Sequence, residues 1–458
     1  MPEDEPQASV QTTYWNVDSS RRSAEHRCKR LRYLEYHSGP AGYGIRKKAQ
    51  SLPLATGIRV HKLFAEVLSL AHEGVDRPVI RACITRNIIQ YKELCNTRAF
   101  RDVPMPDMPA EAKFEISRVV DEQGSLLEGM AWGFLRAIVP TILSGYDVVA
   151  VEQEFSFLLQ DGEQTVRVMT RPDILLRRKV DRALCIWDYK TGGSFNEGWK
   201  KQWENSPQLL LIKAGVEAEL KEPCSFAYVL GVLKGGRYKD RADGVERQHS
   251  PFCYAYHREG NPPMIREDWQ VNYDYTDADG KNHRLSKDYK RTPIWAFEFK
   301  DKPQDWTTLE YWVESLPLED VQRQFEYLGP FDHHGWQLPS TLLGMIKQER
   351  LVREGLWAVY DVLGEGFLAE GEAPPEWSEA DPRVLAALDE HFPQSWDCYK
   401  YGSRYRCQMF DVCTRNLQEP LQQGFEMRRP HHLGELVQMR ERGIEPPPDQ
   451  EGEEEAEE

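Results

Sequence analysis

The chain has no hydrophobic run of membrane-spanning length, no glycine-lysine phosphate loop, no basic leader and no surplus of positive charge. Each absence excludes something. The most apolar stretch, "GMAWGFLRAIVPTIL", carries Arg136 and Pro140 and reads as a buried helix rather than a membrane span. The N-terminal "MPEDEPQASVQTT" has neither a basic region nor an apolar core, so a cytoplasmic chain with no membrane partner is expected. Without a phosphate loop, a nucleoside-triphosphate-driven motor within the same chain is unexpected. The formal net charge of −16 argues against a uniformly basic surface, but it leaves room for a local basic groove. Part of that charge sits in "EPPPDQEGEEEAEE", which has almost nothing to bury and reads as a disordered, solubilising acidic tail.

The nine cysteines are an odd number in a chain that reads as cytoplasmic, which disfavours a disulfide framework. Cys83, Cys95, Cys185, Cys224 and Cys253 are scattered, mostly in apolar contexts, and read as small buried hydrophobes. Cys398, Cys407 and Cys413 differ, with eight and five residues between them. Three clustered cysteines with no local fourth can complete a tetrahedral site only with a distant ligand, for which Cys28 is the candidate. The alternative is that all four are simply buried.

Hydrophobic periodicity divides the 458 residues. Up to about Gly145 the pattern is mainly helical, as in "TGIRVHKLFAEVLSLAHEG". From Tyr146 short β-rich segments come next: "DVVAVEQEFSFLL", "TVRVMTRPDILLRR" and "ALCIWDYKTG". A helix over "SPQLLLIKAGVEAEL", a further β-leaning stretch and renewed amphipathic helices from Thr307 complete the order. The expected organisation is an N-terminal helical region over 1–145, an α/β core with a β-rich extension over 146–306, a C-terminal helical region over 307–440, and a tail over 441–458.

The segments "RPDILLRR" and "ALCIWDYK" are joined by a short polar turn and read as an antiparallel hairpin. An even-numbered loop centred between Val180 and Asp181 places Asp173 directly opposite Asp188. Opposed residues have Cβ atoms roughly 5 Å apart, and like charges so placed destabilise a sheet unless something offsets them. A divalent cation is a natural offset, because hard cations take carboxylate oxygens. Lys190 falls on the same face as Asp188, where an ammonium can orient water or hold a phosphate oxygen. Tyr189 points away, leaving its carbonyl as a potential ligand. A surface strand ending in Asp-X-Lys is common. The preceding Arg-Pro, the buried run and the "TGG" after Lys190 make this one less ordinary.

With fourteen residues between Asp173 and Asp188, "RPD…DYK" resembles the core of the PD-(D/E)XK nucleases, in particular the RecB-like branch. That branch carries an upstream Gly-X-X-X-His, matched by Gly57 and His61 in "GIRVH", and a downstream glutamine, matched by Gln208 in "SPQLLLI". The resemblance implies that His61, Asp173 and Asp188 bind metal, that Lys190 assists hydrolysis, and that Gln208 holds the site or DNA. Glu154 in "VEQEF" matches a frequently acidic position. Thr170 or Arg171 stands where the family has glycine, and Ile212 where a tyrosine is expected. His72, His333, His334, His431 and His432 have no partner pattern and read as ordinary residues. AddB-type relatives hold a [4Fe–4S] cluster with one cysteine before the core and three after it. "CKRLRYLEY" and "CQMFDVC" resemble those segments, which implies cluster ligation by Cys28, Cys398, Cys407 and Cys413. The gap of eight residues is longer than the family's usual spacing, and Zn²⁺ is the chemical alternative.

The expected fold is α/β, of restriction-endonuclease type, with a mixed central sheet and helical ends joined by a metal cluster. The implied activity is Mg²⁺- or Mn²⁺-dependent cleavage of DNA, with exonuclease action on single strands or duplex ends in recombination, repair or processing. The enzyme would act alone or with a separate helicase or recombination protein, in a bacterial cell or a phage-infected host. Arg171, Arg177, Arg178 and the basic residues from Arg237 to Arg241 are candidates to follow the phosphate backbone. A DNA-end-binding subunit that no longer cuts is the competing reading. The complete set of His61, Asp173, Asp188 and Lys190 weighs against it.

Overall fold

The computed structural model describes residues 15–38, 43–47, 52–99, 110–162, 164–239, 246–256, 291–299, 301–332, 335–362, 382–395, 424–430, 432–441 and 443–447, with short pieces at 270–284 and 407–413. In chain order, β1 (Trp15–Val17), α1 (Ser19–Arg27), α2 (Lys29–Tyr36) and β2 (Ile45–Lys47) precede three long helices. These are α3 (Leu52–His72), α4 (Arg77–Ala99) and α5 (Ala110–Ala137), with the short α6 (Val139–Gly145) after them. Then come β3 (Tyr146–Val151), β4 (Phe155–Asp161), β5 (Gln164–Thr170), β6 (Ile174–Arg178) and β7 (Leu184–Gly192). The helices α7 (Glu197–Lys201) and α8 (Pro207–Leu220) lead to β8 (Cys224–Leu233). The last elements used below are α9 (Thr308–Ser315), α10 (Leu318–Gln322), β9 (Phe325–Phe331), α11 (Gln337–Asp361), α12 (Pro382–His391), β10 (Phe425–Met427) and α13 (Leu433–Glu441).

A five-stranded mixed sheet in the order β9-β8-β7-β6-β3 forms the centre, so the fold is mixed α/β as the segment order implied. Strand alternation sends side chains of β6–β8 to opposite faces, and both faces are covered. Ile174, Leu176, Cys185, Trp187, Tyr189 and Leu230 pack with Leu63, Phe64, Leu126, Met130 and Phe134 of α3 and α5. Leu175, Leu184, Ile186 and Val229 pack on the other side with Leu209, Ile212 and Val216 of α8. Burial on both faces is why "LCIWDY" shows no polar alternation before its acid. The helical stretch Glu115–Gly145 is apolar and long enough to cross a membrane, but it packs inside this core, with Met130, Ala131 and Phe134 wholly buried.

A second sheet in the order β1-β5-β4 stands beside the first, and a β2–β10 pair joins the two ends of the chain. Three details depart from the sequence reading. The N-terminal region contains β1 and β2 as well as helices. The segment "DVVAVEQEFSFLL" is cut at 152–154 into β3 and β4, which belong to different sheets. In the region expected to be helical, β9 forms an edge strand antiparallel to β8. Its sequence "FEYLGPF" is short, and its conformation is set by the ladder it joins rather than by its own pattern.

Candidate metal centre

The β6–β7 hairpin has the expected register, with Ile174 opposite Trp187, Leu175 opposite Ile186 and Leu176 opposite Cys185. Carried one residue further, it sets Asp173, just before β6, across from Asp188 on β7. On the other side β3 runs antiparallel to β6 with Val151 opposite Ile174, and the Glu152 N–H donates to the Asp173 carbonyl at 3.0 Å. Glu152, Asp173 and Asp188 therefore form one row across three strands. Asp173 and Asp188 are buried, at 6% and 2% exposure.

Helix α3 brings His61 to this row. A Cβ on Gly57, one turn before His61, would sit 3.2 Å from Thr191 Oγ1, so glycine permits the close approach of α3 to the end of β7. His61 Nδ1 lies 2.9 Å from Asp173 Oδ1, and the Tyr189 N–H donates to Asp173 Oδ2. The Tyr189 ring turns away into the core against the stacked rings of Phe64 and Phe134, with edge-on contacts at 5.4 Å and 5.7 Å. Lys190 pairs with Asp188 and stands 5.5 Å from the Trp203 ring, while Gln208, in the first turn of α8, donates to Asp188 Oδ1 at 3.4 Å.

Ligand atoms of His61, Glu152 and Asp173 all lie within 4.8 Å of one another, the single such set of three among the described residues. Asp188 flanks the set, held by Lys190 and Gln208. Crowding shows in the acidities. Burial and the Asp173 charge push Glu152 up to about 7, although Arg171 opposes this. Burial also raises Asp188, with Asp173 adding to the effect against Lys190. Burial would raise Asp173 too, but His61 and Lys190 hold it below its ordinary value. The ammonium of Lys190 is stabilised, its burial outweighed by Asp188 and Asp173. Carboxylates whose charge is costly in this way, with an imidazole beside them, suit a hard divalent cation, whose binding would displace protons.

Glu152 is the residue that sequence reasoning missed. The acid chosen there, Glu154, lies two residues on and accepts from His432 Nδ1 at 2.9 Å instead. The signal is the register of β3 on β6, which contains an irregularity between Val148 and Ala150. Glu152 itself has φ +51°, a left-handed conformation that ends β3 and turns the chain toward β4. Its carboxylate is paired with Arg171 at 3.1 Å. The other expected phosphate-following arginines are likewise engaged: Arg177 by Glu222, Arg178 by Asp181 and Arg237 by Glu122. Arg241 lies outside the described residues. Ile212, at the position of the family's tyrosine, is buried under the sheet.

Cys28 is buried where α1 meets α2, and Cys407 and Cys413 pack against the same apolar cluster. Cys407 and Cys28 are near enough to influence one another, and burial raises the Cys407 thiol. Among the described residues these three sulfurs do not converge into a metal-holding set, and Cys398 lies outside the described residues. His432, read as an ordinary residue, is buried between two carboxylates, whereas His333, His334 and His431 lie outside the described residues.

A hairpin-borne pair of acids, a lysine on the same strand and a third acid at the end of the neighbouring strand form a set that suits a divalent cation and the hydrolytic chemistry such an ion supports. The family model of the PD-(D/E)XK nuclease superfamily matches residues 19–250, roughly half of the chain, and spans this whole row. The protein belongs to that superfamily, and this membership implies a metal-dependent nuclease. No curated protein matches the chain.

Proposed function

We propose that the protein is a Mg²⁺- or Mn²⁺-dependent exonuclease that hydrolyses single-stranded DNA or duplex ends. The observation that carries the reading is the row Glu152–Asp173–Asp188, with His61 against its centre and Lys190 two residues beyond Asp188. His61, Glu152, Asp173 and Asp188, with the Tyr189 carbonyl, would hold the cation. When bound, such an ion polarises a phosphoryl oxygen and acidifies a water. The residues do the rest. Lys190 Nζ, which pairs with Asp188, would orient the attacking water or hold a non-bridging phosphate oxygen. Gln208 fixes the rotamer of Asp188 through Oδ1. Water adds to phosphorus and gives up a proton to solvent, the P–O bond to the leaving sugar oxygen breaks, and that oxygen takes up a proton from solvent.

Glu152→Gln should weaken Mn²⁺ binding by at least about tenfold, a scale reached even by groups that only support ligands. Calorimetric titration of the full chain measures it, and unchanged affinity would remove Glu152 from the ligand set. Exonuclease action separates from internal cutting on circular single-stranded DNA. Linear DNA should be degraded and the circle left intact, whereas a cut circle overturns the exonuclease reading.

The remaining cysteines fit a structural role. Cys28, Cys398, Cys407 and Cys413 would ligate a [4Fe–4S] cluster clasping the N- and C-terminal parts, a RecB-like feature supported by the shared packing of Cys28, Cys407 and Cys413. A brown preparation with about four irons per chain is expected for such a cluster. A colourless, zinc-bearing one would refute it. A separate helicase or recombination protein would supply unwinding, since the sequence has no phosphate loop.

A further inference from the structure

A C-terminal segment of the described chain reaches the link between β3 and β4 that carries Glu152. His432 is 8% exposed and caps α13, its carbonyl accepting from the Glu435 N–H at 3.0 Å. Its Nδ1 lies 2.9 Å from Glu154 Oε1 and its Nε2 lies 3.2 Å from Asp18 Oδ2. Burial opposes a charge on the ring, but Asp18 and Glu154 outweigh it and raise the imidazole to about 9. The anchor behind it is rigid: Asp18 N-caps α1 through the Arg21 N–H at 2.7 Å, and Arg21 pairs in turn with Glu435 of α13.

Residues 152–154 are the whole connection between β3 in the central sheet and β4 in the second sheet. At one end Glu152 takes its left-handed φ and bonds to the Asp173 carbonyl. At the other, Glu154 is gripped by His432. A three-residue link with a strained first member keeps its geometry only if both ends are held.

We propose that His432 is a positioning residue for the metal centre: by holding Glu154 it fixes the 152–154 link and so aims the Glu152 carboxylate at His61 and Asp173. This rests on the reading of Glu152 as a metal ligand. It makes the segment bearing α13, which lies beyond the family match at 19–250, part of the working site.

The test is Mn²⁺ affinity of the full chain, read from the free-ion electron paramagnetic resonance signal, beside the thermal midpoint. His432→Ala should weaken Mn²⁺ binding by about tenfold, near the lower end for removed supports of metal ligands. Glu154→Gln, which keeps volume and removes the charge, should move affinity the same way, and the double variant should be no worse than His432→Ala alone. Arg46→Ala is the control. It breaks the 3.1 Å pair with Glu426 in the β2–β10 ladder, loosening the same C-terminal segment without touching Glu154. It should lower the midpoint and leave Mn²⁺ affinity unchanged. If His432→Ala and Glu154→Gln bind Mn²⁺ like wild type, or Arg46→Ala weakens binding as much as they do, the positioning role is overturned and a general clasp remains. A wild-type chain that binds no Mn²⁺ overturns the metal-centre reading itself, and this inference with it.

Discussion

Lys190→Met should reduce DNA cleavage by about 10²- to 10³-fold, the loss seen when one donor to a developing oxyanion is removed, while divalent-metal binding survives. The side chain is one-fifth exposed, its ammonium rests on Asp188, and it stands over the Trp203 ring. Methionine keeps the apolar stem and discards the charge. Asp188 then loses a competitor for its carboxylate, so Mn²⁺ should bind as well as or better than in wild type. That split separates Lys190 from the ligands, whose removal depresses both. Single-turnover cleavage beside a Mn²⁺ titration reads the two quantities. Cleavage within a few-fold of wild type would show that the lysine only balances the charge of Asp188.

Glu122→Ala should cost about 3–5 kcal/mol of stability, as expected when a buried ionic cluster loses its central charge. Glu122, on α5, is fully buried. It accepts from the Tyr254 hydroxyl at 2.6 Å and Arg118 at 3.3 Å, and it pairs with Arg237. Alanine leaves two guanidinium groups with less compensation and opens a void at the junction of α5 with the residues after β8. Burial and Glu122 together raise the Tyr254 hydroxyl far above its ordinary range, so that phenol should shift downward in the variant, with burial still holding it raised. A lowered denaturant midpoint at unchanged slope is the expected result. A loss below about 1 kcal/mol would mean that water relaxes into the site.

The hairpin was legible because its turn sets its register: once the loop is centred, the opposition of Asp173 and Asp188 comes from the strand period. His61 was legible only as a motif, and its approach to Asp173 depends on how closely α3 meets β7 at Gly57. Glu152 was not legible. Choosing it over Glu154 requires the register of β3 on β6 across an irregularity, and the left-handed turn that removes Glu152 from the strand alternation. His432 was out of reach for another reason. Its partners Asp18 and Glu154 lie hundreds of residues away in sequence, and no local pattern marks a histidine that only tertiary packing surrounds with acids. Edge strand β9 belongs to the same class, being specified by the ladder on β8 more than by its own residues.

The central claim is that one row of acids, with His61 and Lys190, holds a divalent cation for phosphodiester hydrolysis. Cleavage of end-labelled single- and double-stranded DNA with Mn²⁺, for wild type and a folded Asp188→Ala variant, tests it most directly. Wild type should cut, EDTA should stop it, and the variant should be slower by about 10³-fold, equivalent to the several kcal/mol a bound metal contributes. A wild-type chain that cuts neither DNA, or an Asp188→Ala chain that cuts as well as wild type, would contradict the account.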